Sequence, residues 1–242
     1  MTPPLIAVAH GSRDPRSAAT VARLVEEVRR QRPDLDARLC FLDLSAPRLP
    51  DVLAGERRAV VVPLLLGRAY HARVDVPGEV ARAVRRAPGL DVAIADVLGS
   101  DVEHAALDRL AEAVGPLDDP GLGVVLAGVG SSDAAANARV SDVVAGWRAR
   151  FGWHGAAAAF ATAEPSVGAA IARLRAEGAH RVAVAQWVLA PGLLPDRIER
   201  AAAAADVPVA AALGAHPEVA ALVVHRYEQS AAHRTRHAAA AS

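Results

Sequence analysis

Apolar residues in this chain fall into two alternating patterns, short unbroken runs and stripes of helical spacing. Leu5 to Ala9 is a strand-length apolar run. Gly11 after it permits a sharp turn, and Asp14-Pro15 supplies an N-cap and a first-turn proline. Val21, Leu24, Val25 and Val28 then have i, i+3, i+4, i+7 spacing, which predicts a helix from about Arg16 to Gln31 that ends before Pro33. The same alternation predicts a strand over Arg38–Leu44, a short helix over Pro47–Gly55 and a buried, β-branched strand over Ala59–Leu66. A helix from Pro77 to Arg86, a fourth strand over Leu90–Val97 and a helix from Asp101 to Val114 complete the unit. Strand and helix in strict alternation predict βαβ connections and a parallel sheet.

The turn-forming stretch Gly115-Pro-Leu-Asp-Asp-Pro-Gly121 reads as a linker, and the second half of the chain repeats the first. Val124 to Gly128 is again a strand, and Gly130-Ser-Ser-Asp133 echoes Gly11-Ser-Arg-Asp14. Val140, Val143, Val144 and Trp147 reproduce the helical stripe, Phe160 answers Phe41, and Arg181–Val188 matches the strand from Ala59. Leu213-Gly-Ala-His-Pro matches Leu98-Gly-Ser-Asp-Val before a closing helix. So many matches in register indicate an internal duplication. The expected fold is α/β with two similar lobes, each a parallel four-stranded sheet flanked by helices, related by a pseudo-twofold around a ligand cleft. The lobes are expected at 1–115 and 122–228, joined by the linker 116–121 and succeeded by a mobile tail, 229–242.

The copies differ where polar chemistry would sit. The position of His10 becomes Val129, that of Asp43 becomes Ala161 or Thr162, and that of His71 falls near Leu193. A scaffold role for these groups would be kept in both copies, so the asymmetry points to one site, in the first half, of a chain acting as a monomer.

Composition narrows the classes. At 242 residues and 52% hydrophobic, the chain has material for one large α/β domain or for two modest ones with proper cores. Formal charge is zero, and every basic residue is an arginine without a basic block, which speaks against a nucleic-acid partner. The lone Cys40, in an apolar segment, excludes an internal disulfide and a cysteine metal cluster and reads as a buried structural thiol. No apolar run has signal-peptide or membrane-span form, so a cytoplasmic protein without membrane association is expected.

His10 ends the first strand, Asp43 the second, and His71 comes after the third, so a parallel sheet brings all three to one rim. Two imidazoles and a carboxylate form a ligand set suited to Fe(II), Co(II), Ni(II) or Zn(II). Each taken alone has a plainer reading, as a helix cap or a hydrogen-bonded surface group. Arg13, Arg68 and Arg73 lie on the same loops and suit ligand carboxylates; their plainer reading is solvated surface. Gly11-Ser12 before a helix resembles a phosphate cradle but is neither a dinucleotide fingerprint nor a P-loop. Ser12 as a nucleophile lacks a facing base and an oxyanion motif. His216 and Asp101 read as helix caps, and His233 and His237 belong to the tail.

Ala-His-Gly-Ser-Arg-Asp-Pro at 9–15, Phe-Leu-Asp at 41–43 and Val-Pro-Leu-Leu-Leu with His71 downstream resemble the sirohydrochlorin chelatases, the small class II tetrapyrrole chelatases. The likeness runs along nearly the whole chain, because long members of that family are also duplicated. It implies insertion of a divalent metal, cobalt or ferrous iron with nickel in the same range, into sirohydrochlorin without a nucleotide, on the way to sirohaem or cobalamin. It implies that His10 and His71 hold the metal and move a proton, assisted by Asp43, where the family usually carries glutamate. Ser12, Arg13, Arg68, Arg73 and Arg197 would then contact the substrate, the arginines its peripheral carboxylates. Two alternatives stay open: a non-catalytic metal or tetrapyrrole carrier, and an α/β protein binding a phosphorylated small molecule.

Overall fold

A computed structural model describes residues 2–67 and 74–240, with only the helical backbone described beyond Ala232. The chain forms two compact units, residues 1–101 with 214–242, and residues 102–213.

In the first unit, β1 (Leu5–Ala9) is succeeded by α1 (Pro15–Gln31), β2 (Ala37–Phe41), α2 (Leu49–Leu53), β3 (Arg58–Pro63), α3 (Val76–Arg86) and β4 (Asp91–Ile94). The four strands are parallel in the order β2-β1-β3-β4. β1, flanked on both edges, is buried along its whole length, which is why its sequence is an unbroken apolar run rather than an alternation. The α1 stripe is buried as its spacing predicts, at Val21, Leu24, Val25 and Val28, and the Asp14 carboxylate accepts from the Arg16 amide at its N-terminus. Ile6, Val8 and Val61 pack with Leu49 and Leu53 of α2 and Val76 and Val80 of α3. Cys40 is in the same cluster, and burial pushes its thiol up to about 12.

The second unit contains α4 (Glu103–Val114), β5 (Leu122–Gly128), α5 (Ala134–Arg150), β6 (Gly155–Phe160), α6 (Val167–Ala176), β7 (Arg181–Trp187) and α7 (Pro195–Ala204). Its sheet has three strands, in the order β6-β5-β7, where four were expected. The fourth is reduced to a single bridge, Val184 with Val209. Val184 N–H donates to Pro208 O and Ala210 N–H to Val184 O. The ladder goes no further because Pro208 has no N–H and Asp206, at φ 52°, turns the chain just before it. Val125, Ala157, Ile171, Leu174, Val184 and Ile198 form the core between this sheet and α6 and α7.

The final helix, α8 (Pro217–Ala240), belongs to the first unit and continues through the segment expected from sequence to be a tail. It packs on α1, β3 and β4, and buries Val219, Ala220, Val223 and Tyr227. The Tyr227 hydroxyl donates to Pro3 O at 2.7 Å, and Arg226 pairs with Asp101. His216 caps it, Nδ1 accepting from the Glu218 amide at 3.3 Å. In the second unit α4 packs on β7. The sequence repeat thus ends at the linker, whereas each compact unit is completed by the terminal helix of the other repeat. No helix among the described residues is long and apolar enough to cross a membrane.

Candidate metal site at the end of the first strand

His10 leaves β1 at its carboxyl end, half-buried, and Gly11 then turns the chain at φ 95°. Only glycine fits this turn, because a Cβ at Gly11 would lie 1.7 Å from the Asp43 carbonyl oxygen. The loop after β2 is thereby held against the turn after β1. Leu42 N–H donates to Ala9 O and Asp43 N–H to His10 O, both at 2.9 Å. Two serines latch the next residues: Ser12 N–H donates to Ser45 Oγ at 3.3 Å, and the Ser45 hydroxyl donates to Ser12 O at 3.2 Å. The Ser12 Oγ accepts from Asp14 N–H at 3.0 Å, so this hydroxyl braces the turn.

Asp43 is 59% exposed, and one carboxylate oxygen accepts from the Leu44 amide at 2.8 Å and from Arg48 at 2.9 Å. The Leu44 N–H bond, the Arg48 guanidinium and the nearby His10 hold this carboxyl below the usual carboxylate range against a smaller opposing effect of burial. The structure therefore brings His10 and Asp43 together, as their places at the ends of adjacent parallel strands predict. His71, Arg68 and Arg73 lie outside the described residues. Among the described residues no group of three or more His, Cys, Asp and Glu side chains is placed to hold an ion. Arg13 is exposed on the His10 turn, and Arg197 is exposed near the start of α7 in the second unit. Sequence reasoning does not reach Ser45, Arg48 and Leu44; the only signal for them is their place in the loop that begins at Asp43.

The second unit repeats the turn without its chemistry. Gly130 has φ 91°, Ala161 N–H donates to Gly128 O at 3.0 Å, and Thr162 N–H donates to Val129 O at 2.9 Å. Register fixes Thr162, rather than Ala161, as the counterpart of Asp43. Its hydroxyl donates to Val129 O at 2.8 Å. Asp133 caps α5 as Asp14 caps α1.

The sequence pattern of the CbiX family matches residues 4–113 and again residues 123–230. The chain belongs to the CbiX family. The two matches fall on the two sequence repeats. This CbiX family member is 26% identical to the sirohydrochlorin ferrochelatase of Bacillus subtilis over 241 residues, covering 94% of this chain and 92% of that one. It is 27% identical over 151 residues to the sirohydrochlorin ferrochelatase of Priestia megaterium, an alignment that spans 56% of this chain and about half, 53%, of that protein. Its fold is similar to that of SirB from Bacillus subtilis with Fe3+, with a TM-score of 0.83 and 24% identity over 97% of this chain and 98% of that one.

Proposed function

We propose that this chain is a sirohydrochlorin chelatase, an enzyme that inserts a divalent metal into the tetrapyrrole without a nucleotide. The observation that carries the reading is the doubled turn. The chain builds the same strand-turn-loop junction twice, with the same backbone bonds, and only the first copy carries an imidazole and a carboxylate, at His10 and Asp43. Relatives that bear the name sirohydrochlorin ferrochelatase support the substrate.

Insertion releases two pyrrole protons as the ion enters the ring. His10 and His71 hold the incoming ion and replace part of its hydration shell. As the ion passes to the ring, one imidazole gives up the metal and accepts one pyrrole proton on the freed nitrogen near neutral pH, and the second proton leaves to water. Asp43 orients His10 or completes the ligand set. Ser12 sets the His10 turn beside the ring, and Arg13, Arg68, Arg73 and Arg197 pair with its peripheral carboxylates. Imidazole and carboxylate ligands suit ferrous iron and cobalt, with nickel within the same range. The enzyme acts as a cytoplasmic monomer in the route to sirohaem or cobalamin.

Alanine substitution tests the assignment. His10→Ala and His71→Ala are each expected to slow insertion by on the order of a hundredfold, read from the visible spectrum of the ring. Near-normal turnover in both contradicts it.

A further inference from the structure

The loop that carries Asp43 differs from its duplicate by one residue, and that residue has a consequence for substrate. Both loops start and end alike. Phe41 N–H donates to Pro47 O and Phe160 N–H to Pro165 O, each at 2.9 Å, and the bridges Phe41 with Arg48 and Phe160 with Ser166 close the two loops. Five residues lie between Phe41 and Pro47, and four between Phe160 and Pro165.

The longer loop accommodates its extra length in a tight turn centred on Leu44. Ser45 N–H donates to Asp43 O at 2.7 Å, and Leu44 sits at φ 59°. A leucine at positive φ is strained, and a three-residue turn around it adds to the strain. Only two non-glycine residues among those described have positive φ, Leu44 and Asp206. Asp206 is of a type that tolerates the conformation; Leu44 is not. Its side chain is also 46% exposed, so core packing does not repay the strain. The turn is held from outside by the two Ser12 to Ser45 bonds and by the close approach of Gly11 to Asp43. A strained, exposed apolar residue, braced next to a metal-ligand candidate and lacking a counterpart in the copy without one, has the properties of a ligand contact.

We propose that Leu44 is a substrate contact, its isobutyl group resting on the apolar face of the tetrapyrrole presented to His10 and Asp43. The inference rests on the chelatase reading and adds to it a residue that grips the ring rather than the metal. A flat conjugated ring offers large apolar faces, and a leucine covered on binding removes both surfaces from water. Asparagine suits the left-handed backbone but removes the apolar contact, glycine removes strain and contact together, and methionine retains apolar bulk.

The test measures binding of metal-free sirohydrochlorin and, separately, of cobalt(II), to the wild type and to Leu44→Gly, Leu44→Asn and Leu44→Met. Gly and Asn variants are expected to bind the ring about tenfold more weakly, Met to restore most of the loss, and cobalt binding and the thermal midpoint to stay at or above wild type. Ring affinity unchanged in the Gly and Asn variants overturns the contact while leaving the chelatase reading in place. Loss of ring and cobalt affinity together, without rescue by Met, also overturns it, because Leu44 then acts only through the shape of the loop. A wild type that binds the ring but never inserts metal overturns the chelatase reading and not the contact.

Discussion

His10 and Asp43 are joined through the backbone, the Asp43 amide donating to the His10 carbonyl at 2.9 Å. The bond continues the β1–β2 register, in which Ala9 pairs with Phe41, past the end of the sheet. It sets the spacing of the two residues by strand geometry, so their backbones are held side by side by the sheet itself. On the proposed chelatase function, residues held in place in this way lower the ordering cost of binding an ion.

Gly11→Ala tests how far the site depends on this junction. Its Cβ would overlap the Asp43 carbonyl oxygen, so the Asp43 loop must move. Gly89 serves as a control: its φ is 97°, yet a Cβ there meets nothing within 4 Å. Gly89→Ala is expected to cost about 1–2 kcal/mol from backbone strain alone. Gly11→Ala is expected to cost more in urea unfolding and to lower metal affinity as well. Equal stability losses with unchanged metal binding contradict this dependence.

The place of α8 makes a second prediction. Val219, Val223 and Val224 are buried in the first unit, and at about 1.5–3 kcal/mol each they contribute on the order of 5 kcal/mol or more. That is comparable with the whole stability of a small domain. A chain ending at His216 is expected to lose the cooperative unfolding of the first unit, whereas one ending at Ala232 keeps it. A native-like transition in the shorter chain, read by calorimetry, contradicts the assignment of α8 to that unit.

Much of this fold is legible in the sequence, and the failures are informative. The His10 turn can be read because a strand-length apolar run, a glycine and an Asp-Pro helix start each impose local geometry, and the same signals recur at Gly130 and Asp133. The partners of α4 and α8 cannot. Leu107 and Leu110, like Val219 and Val223, announce a buried face without saying which sheet buries it. The alternation of Leu42 and Leu44 around Asp43 predicts a second strand that runs to Leu44. It ends at Phe41, where the loop bends toward Leu44, and a positive φ at leucine leaves no trace in an apolar pattern. Ser45 and Arg48 act through contacts with Ser12 and Asp43 that only the fold creates.

Acid should weaken α1 through Glu27. The Arg30 guanidinium, with help from the Gln31 amide, holds the Glu27 carboxyl down from 4.5 to about 2. A depressed carboxyl contributes stability that is fully present above 4.5 and is lost as pH falls toward 2. The effect is modest, because Arg30 is largely exposed and solvent screens the pair. Glu27→Gln should therefore lower the urea midpoint at pH 7 and converge on wild type near pH 2. Parallel profiles for the two proteins across that window contradict it.

The most direct test of the chelatase assignment tracks the absorption spectrum of sirohydrochlorin with cobalt(II) or ferrous iron under anaerobic conditions, with the purified chain present in catalytic amount. Metallation faster than the spontaneous rate, with many rings converted per chain, is the predicted result. A spectral change that stops at one ring per chain, or no acceleration at all, would contradict it.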